Sequence, residues 1–231
     1  MLEPDVNTPA PPARRAASIA AKLAVVAGFF AAWSILYDLA NAHGSAPGRA
    51  VTFARPFDLL PGLLQPWTAV VYLVGGVALP LLPFCFHWRW PGIRFVLTCY
   101  TIAAGVTFAA YWLWPVRMDR PVFDAPGLGS RLMRWVQAVD QPANCCPSSH
   151  ALFAVLGALL VAHGVASRPV QVATWSLAVA VCATTITTGQ HYFIDVAVGV
   201  GVAVAAYAVA RNMRLNPREA SPRGGLARRE R

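Results

Sequence analysis

Charge is scarce in this sequence. Only 13% of its 231 residues are charged, against about 25% in an ordinary soluble domain, and Lys22 is the one lysine beside eighteen arginines. A chain this poor in charge, 57% hydrophobic and with a mean hydropathy of +0.50, reads as an integral membrane protein rather than a soluble domain. Cysteine is sparse and not spaced for metal or redox work. Cys85, Cys99 and Cys182 sit in apolar runs as packing thiols. Cys145 and Cys146 are adjacent, without a C-x-x-C or metal-ligand pattern. No metal and no cofactor is expected. The net charge of +9 does not point to nucleic acid, because the arginines lie mostly in tails and loops.

Long apolar runs are what the chain has instead. They cover residues 18–42, 67–87, 94–114, 150–166, 172–190 and 192–211. Each approaches or reaches the ~20 residues that a helix needs to cross a bilayer, the fourth being the shortest. The expected fold is all-α and polytopic, a bundle of six transmembrane helices over residues 18–211. Residues 1–17, rich in Pro, Ala and Arg, read as a disordered cytoplasmic tail, and residues 212–231 as a basic cytoplasmic tail. Trp67, Trp88, Trp90, Trp112, Trp114 and Tyr192 stand at run ends, where interfacial aromatic belts form. The proline-broken stretch PFDLLPGLLQP, 56–66, reads as interfacial.

Six spans put both tails on one side. With the tails in the cytoplasm, the inner segments hold 13 cations: Arg14, Arg15, Lys22, Arg89, Arg94, Arg168 and seven arginines from Arg211 onward. The outer loops hold 6: Arg49, Arg55, Arg117, Arg120, Arg131 and Arg134. That satisfies the positive-inside rule, with the margin supplied by the carboxyl-terminal tail. ANAHG, 40–44, contains an A-x-A pattern, but the preceding apolar core exceeds the usual 7–15 residues of a signal peptide. The first run is therefore read as an uncleaved anchor, and the protein is placed in a bacterial inner membrane. Arg117, Arg120, His150, His191 and Asp195 are then all expected at the outer face.

Three short stretches carry chemistry. In TTGQHYFIDVAVG, 187–199, His191 and Asp195 are four residues apart and so neighbours on a helix. A carboxylate beside an imidazole fixes its tautomer and leaves the other nitrogen free to attack or accept a proton. In PSSH, 147–150, Pro147 suits a first helical turn. Ser148 and Ser149 then lie among the free amides of a helix start, where phosphate binds well, and His150 is placed to donate a proton. In WPVRMDRPV, 114–122, Arg117 and Arg120 stand three apart at a membrane surface and suit a phosphoryl clamp. Each has a plainer reading: an interfacial His–Asp anchor, an ordinary helix cap, and snorkelling arginines. His87 and His163 fall at the opposite face, His43 is a loop residue, and Gly199 and Gly201 are expected to allow close helix packing.

The order RP, PSSH, H-x-x-x-D resembles the PAP2 superfamily, the type 2 phosphatidic acid phosphatases and their lipid phosphotransferase relatives. Their usual pattern is K-x6-RP, PSGH and SR-x5-H-x3-D, and the resemblance covers about residues 56–200. It implies His191 as a nucleophile forming a phosphohistidine, Asp195 orienting and charge-balancing it, and His150 protonating the leaving oxygen. It further implies Arg120, with the backbone of Ser148 and Ser149, holding the phosphoryl oxygens of a lipid phosphate without a metal. The chain departs from the pattern at Leu113 for the lysine, Thr184 and Thr185 for Ser-Arg, and Ser149 for glycine. Arg117, Arg131 and Arg134 are the candidate replacements. The third motif, TTITTGQHYFID, is more similar to the branch that includes the inositol phosphorylceramide synthases, which implies head-group transfer as an alternative to hydrolysis. A catalytically inactive lipid-binding protein is a further alternative. A serine protease using Ser148 or Ser149 with His191 leaves Asp195 and Arg120 without a role, and no G-x-S-G is present. A transporter would carry its charges nearer mid-membrane than these span-end positions. The substrate lipid and the oligomeric state stay open.

Overall fold

The computed structural model describes residues 12–52 and 62–213, with side chains in the first helix from Ala17 onward. Residues 1–11 of the expected amino-terminal tail, residues 56–61 of the proline-broken stretch and the basic tail beyond Met213 lie outside the described residues. Seven α-helices follow one another: α1 (Pro12–Gly44), α2 (Ala69–Phe86), α3 (Trp90–Leu113), α4 (Leu128–Val139), α5 (Ser149–Gly164), α6 (Arg168–Thr187) and α7 (Phe193–Asn212). A 3-10 turn, Pro66–Thr68, leads into α2. Among the described residues there is no strand, only a bridge pair between Val51 and Val116. Five helices are long and apolar enough to cross a membrane, and Ser149–Gly164 is a shorter apolar one. The protein is a polytopic membrane helical bundle, as its apolar runs require.

Two elements differ from the sequence reading. Helix α1 begins at Pro12, so residues 12–17 are helical and not part of a tail. Proline is at home in a first turn, and the alanines and arginines that follow are strong helix formers. Helix α4 lies inside what was read as a plain outer loop. Its Ser130, Met133 and Val136 are buried, while Leu128, Trp135 and Val139 are exposed. Twelve residues with apolar groups at helical spacing are too few to span and so left no mark in the hydropathy. This helix seats the loop against Pro66–Thr68 and α2.

Helix α5 is the centre of the bundle, packed against α2, α6 and α7. Its 16 residues are apolar nearly all round, and eleven of them are buried, as expected for a helix enclosed by protein on every side. Around it, Phe84, Phe95, Tyr100, Phe153 and Leu156 form the main core with Phe30 and Trp33 of α1. The buried Tyr100 hydroxyl donates to the Pro80 carbonyl at 2.8 Å, which satisfies both groups away from water.

Glycines set the closest approaches. A Cβ at Gly157 would stand 2.4 Å from the Leu79 carbonyl oxygen, and one at Gly199 would stand 2.5 Å from that of Ser148. Gly199 therefore does what the sequence suggested. Gly201 does not: nothing lies within 4 Å of its Cβ position, because α7 turns that residue outward. Cys99 is buried as expected, but Cys85 is exposed and Cys182 only half-buried. At the far end of α5, the His87 Nε2–H donates to the Leu160 carbonyl at 2.9 Å, and the His87 and His163 rings lie 6.0 Å apart. These two histidines are thus at the opposite end from His150.

Gly157→Val should lower the stability of the purified protein by about 1–3 kcal/mol through overpacking, whereas Gly201→Ala should leave it unchanged. Thermal unfolding in detergent, followed by circular dichroism, separates the two; equal melting of both variants would contradict the packing described.

Candidate active site

The amino-terminal ends of α5 and α7 meet at one end of the bundle. Ser148 caps α5, its Oγ accepting the Ala151 amide at 3.3 Å. At the start of α7 an Asp195 oxygen, Oδ2, accepts the Tyr192 amide at 2.8 Å. The two ends are joined by a backbone bond, Ser148 N–H to the Asp195 carbonyl at 2.9 Å, and the missing side chain of Gly199 lets them close. This brings the histidine rings to 6.1 Å between centroids. His150 and His191 therefore share one site.

The loop before α4 closes the site from above. It is pinned by Arg117 N–H to the Val51 carbonyl at 2.9 Å, Met118 N–H to Pro142 at 3.0 Å, and Cys145 N–H to Val116 at 3.0 Å. Pro121 rests on Gly189, whose Cβ would stand 2.5 Å from the proline ring. Gly189 also has φ of +64°, so glycine is doubly required in TTGQH.

His191 is buried, and its Nδ1 lies 2.9 Å from the Cys145 carbonyl oxygen. A carbonyl only accepts, so Nδ1 carries a proton, and the tautomer this selects has its lone pair at Nε2. Asp195 is fully buried, but its Oδ2 is 3.8 Å from that Nδ1, beyond a hydrogen bond. The hydrogen bond that orients the ring is thus the one to the Cys145 carbonyl, with Asp195 as its i+4 neighbour beside it. The other Asp195 oxygen, Oδ1, is buried without a partner. His150 is stacked on Tyr72, with centroids 4.2 Å apart, and its Nδ1 shares a 3.3 Å hydrogen bond with the Tyr72 hydroxyl. Gly76 makes room for it, since a Cβ there would lie 2.9 Å from the ring.

The arginines divide. Arg120 reaches inward, and its Nη2 is 2.5 Å from Asp140 Oδ2 and its Nη1 2.5 Å from the Asp140 carbonyl. The pair is close enough to act electrostatically on His150 and Tyr72. Arg120 Nε is buried and unpartnered. Arg117 is exposed. Its neighbours Val116 and Met118 pack inward on Cys145 and Tyr192, so the alternation of an extended chain turns Arg117 away. Arg131 and Arg134 are exposed on α4, and Arg134 donates to the Phe123 carbonyl. The Ser148 amide is consumed by Asp195, whereas the amides of Ser149 and His150 begin α5 with no acceptor among the described residues. The Ser149 hydroxyl sits beside that of Tyr111.

The family model of the PAP2 superfamily matches residues 92–218, more than half of the chain and all three stretches singled out above. This chain belongs to the PAP2 superfamily. Its members are phosphatases or phosphotransferases. No curated protein and no solved structure matches the chain. In this PAP2 domain the lysine position, Leu113, is 85% exposed and the arginine position, Thr185, is fully buried, its hydroxyl bonded to the Cys182 carbonyl at 2.7 Å. Neither supplies a charge to the histidines. Two surface grooves, of about 620 Å³ beside Trp175 and about 410 Å³ between α3 and α7, are lined by neither histidine. Among the described residues no group of three or more His, Cys, Asp or Glu is placed to hold a metal. Sequence reasoning missed Asp140, Tyr72 and the Cys145 carbonyl. Asp140 had one available signal, as an acid in an arginine-rich loop; the other two had none.

Burial, with Asp195 nearby, pushes the Cys146 thiol up to about 12 and that of Cys145 higher still. Both stay protonated at neutral pH, and the thiolate is the reactive form. Maleimide should therefore modify this pair far more slowly in the native protein than in the denatured chain, with the rate rising as pH climbs. Peptide mass spectrometry measures this, and fast native labelling at neutral pH would contradict the burial.

Proposed function

We propose that the protein is a lipid-phosphate phosphatase of the membrane that works through a phosphohistidine on His191. The observation that carries this reading is the Nδ1–H bond from His191 to the Cys145 carbonyl at 2.9 Å, because it leaves Nε2 as the lone-pair nitrogen of the neutral ring, whose centroid is 6.1 Å from that of His150. His191 Nε2 attacks phosphorus, and His150 protonates the departing oxygen. Water, deprotonated by the same His150, then releases phosphate. Arg120 Nε and the amides of Ser149 and His150 are the donors offered to the phosphoryl oxygens, and Asp195 offsets positive charge on His191.

Head-group phosphotransfer is the second reading, with an alcohol replacing water in the last step. The departures at Leu113 and Thr185 favour it, as does the similarity of the third motif to the inositol phosphorylceramide synthase branch. In either case the cation count and the six apolar helices support a site facing outward from a bacterial inner membrane, with both termini cytoplasmic.

His191→Ala should reduce turnover by about a thousandfold or more and abolish the acid-labile phosphoenzyme. His150→Ala should slow the first step by about a hundredfold to ten-thousandfold for poor leaving groups, and less for good ones. Phosphate and lipid products are followed together on a panel of lipid phosphates. Undiminished turnover in the His191 variant would sink the mechanism; a new head-group product without free phosphate would select the second reading.

A further inference from the structure

We infer that Asp140 sets the charge class of the substrate: by occupying Arg120, it makes the site favour a phosphodiester with one negative charge over a phosphomonoester with two. The inference rests on the phosphohistidine step above and favours its second reading, head-group transfer from a phosphodiester, over release of phosphate from a phosphomonoester.

The charges around the two histidines are few enough to enumerate. Arg120 is the cation that reaches them among the described residues, since Arg117, Arg131 and Arg134 are exposed and Leu113 and Thr185 are neutral. Against it stand two carboxylates, Asp140 in direct contact at 2.5 Å and Asp195, fully buried with an unpartnered oxygen. Asp140 is not a passing surface partner. Its Oδ1 also takes the Tyr37 hydroxyl at 3.1 Å and the Asn41 amide at 3.0 Å, so two side chains of α1 and one of the loop hold it in place. Each outer nitrogen of Arg120 gives one N–H to it, so the guanidinium charge is paired with Asp140, and the buried Nε–H is without a partner.

A phosphomonoester brings three non-bridging oxygens and about two charges near neutrality, much as a phosphorylated side chain does. Placed beside two carboxylates and an already neutralised arginine, that second charge is opposed at short range and low dielectric. A phosphodiester brings two non-bridging oxygens and one charge. Arg120 Nε and the two free amides of α5 suffice for those oxygens.

The chemistry balances without a further reactant. An N–P bond forms at His191 Nε2 as one ester P–O bond breaks, and the leaving oxygen takes its proton from His150. The second ester stays on the phosphohistidine. An alcohol or water then forms a new P–O bond, the N–P bond breaks, and the acceptor proton returns to His150.

A matched probe pair tests this on the full-length protein in detergent: 2-hexadecanoylamino-4-nitrophenyl phosphate and its methyl diester. They share the leaving group and the apolar anchor and differ by one methyl and one charge. The wild type should turn over the diester with a kcat/KM about tenfold or more above that of the monoester. Asp140→Asn should move that ratio toward the monoester by about tenfold or more, and Asp140→Glu should keep the wild-type ratio. The ratio is insensitive to the fraction of protein that folds. A wild type that prefers the monoester, or a ratio unmoved by Asp140→Asn, overturns the inference while His191→Ala remains dead. Full turnover in His191→Ala, or none of either probe by the wild type, overturns the phosphohistidine reading itself and the inference with it.

Discussion

The site depends on one backbone bond, from the Ser148 amide to the Asp195 carbonyl at 2.9 Å. It fastens the first turn of α5 to the first turn of α7, and everything reactive hangs from those two turns. Gly199 makes the bond geometrically possible, since any side chain there would strike the Ser148 carbonyl. The sequence separation is large, so this is a tertiary constraint and not a local one. Once it is made, His150 and His191 have little freedom, because each ring is then held by a further partner, Tyr72 for one and the Cys145 carbonyl for the other.

The distribution of charge follows from how these partners are shared. Asp195 gives one oxygen to the Tyr192 amide and so serves the helix first. A carboxylate in the first turn of α7 is favoured by the helix dipole as well. Its Oδ2 stands 3.8 Å from His191 Nδ1, beside the ring and outside hydrogen-bond distance. Asp140 performs the corresponding service for the loop: it gathers Arg120, Tyr37 and Asn41 into one cluster and ties the loop to α1.

Much of this was legible in the sequence. Membrane-spanning helices announce themselves by apolar length, so the bundle and the pairing of His150 with His191 at one end were readable. So was the close approach at Gly199, and so was the separation of His87 and His163. The failures share a physical origin. The Cys145 carbonyl is a backbone group and has no residue-type signature. Asp140 acquires its meaning from Arg120, 20 residues away, and from Asn41, 99 away. That Arg117 is exposed while Arg120 reaches inward was not readable, because it depends on the local chain being extended, where neighbours face opposite ways. Gly201 looked equivalent to Gly199, yet two residues along a helix point to different sides.

The shortness of α5 has a consequence for where the reaction takes place. Sixteen residues rise about 24 Å, while the hydrocarbon of a bilayer is about 30 Å thick. With the His163 end of the helix at one boundary, its reactive end stops about 6 Å inside the other. The two imidazoles then lie at a depth below the resting plane of the head groups. On the function proposed above, a phosphate reaching them is drawn inward along the protein wall, and the released lipid departs sideways into the leaflet. Membrane thickness becomes a kinetic variable for such an enzyme, acting on the distance a head group must sink.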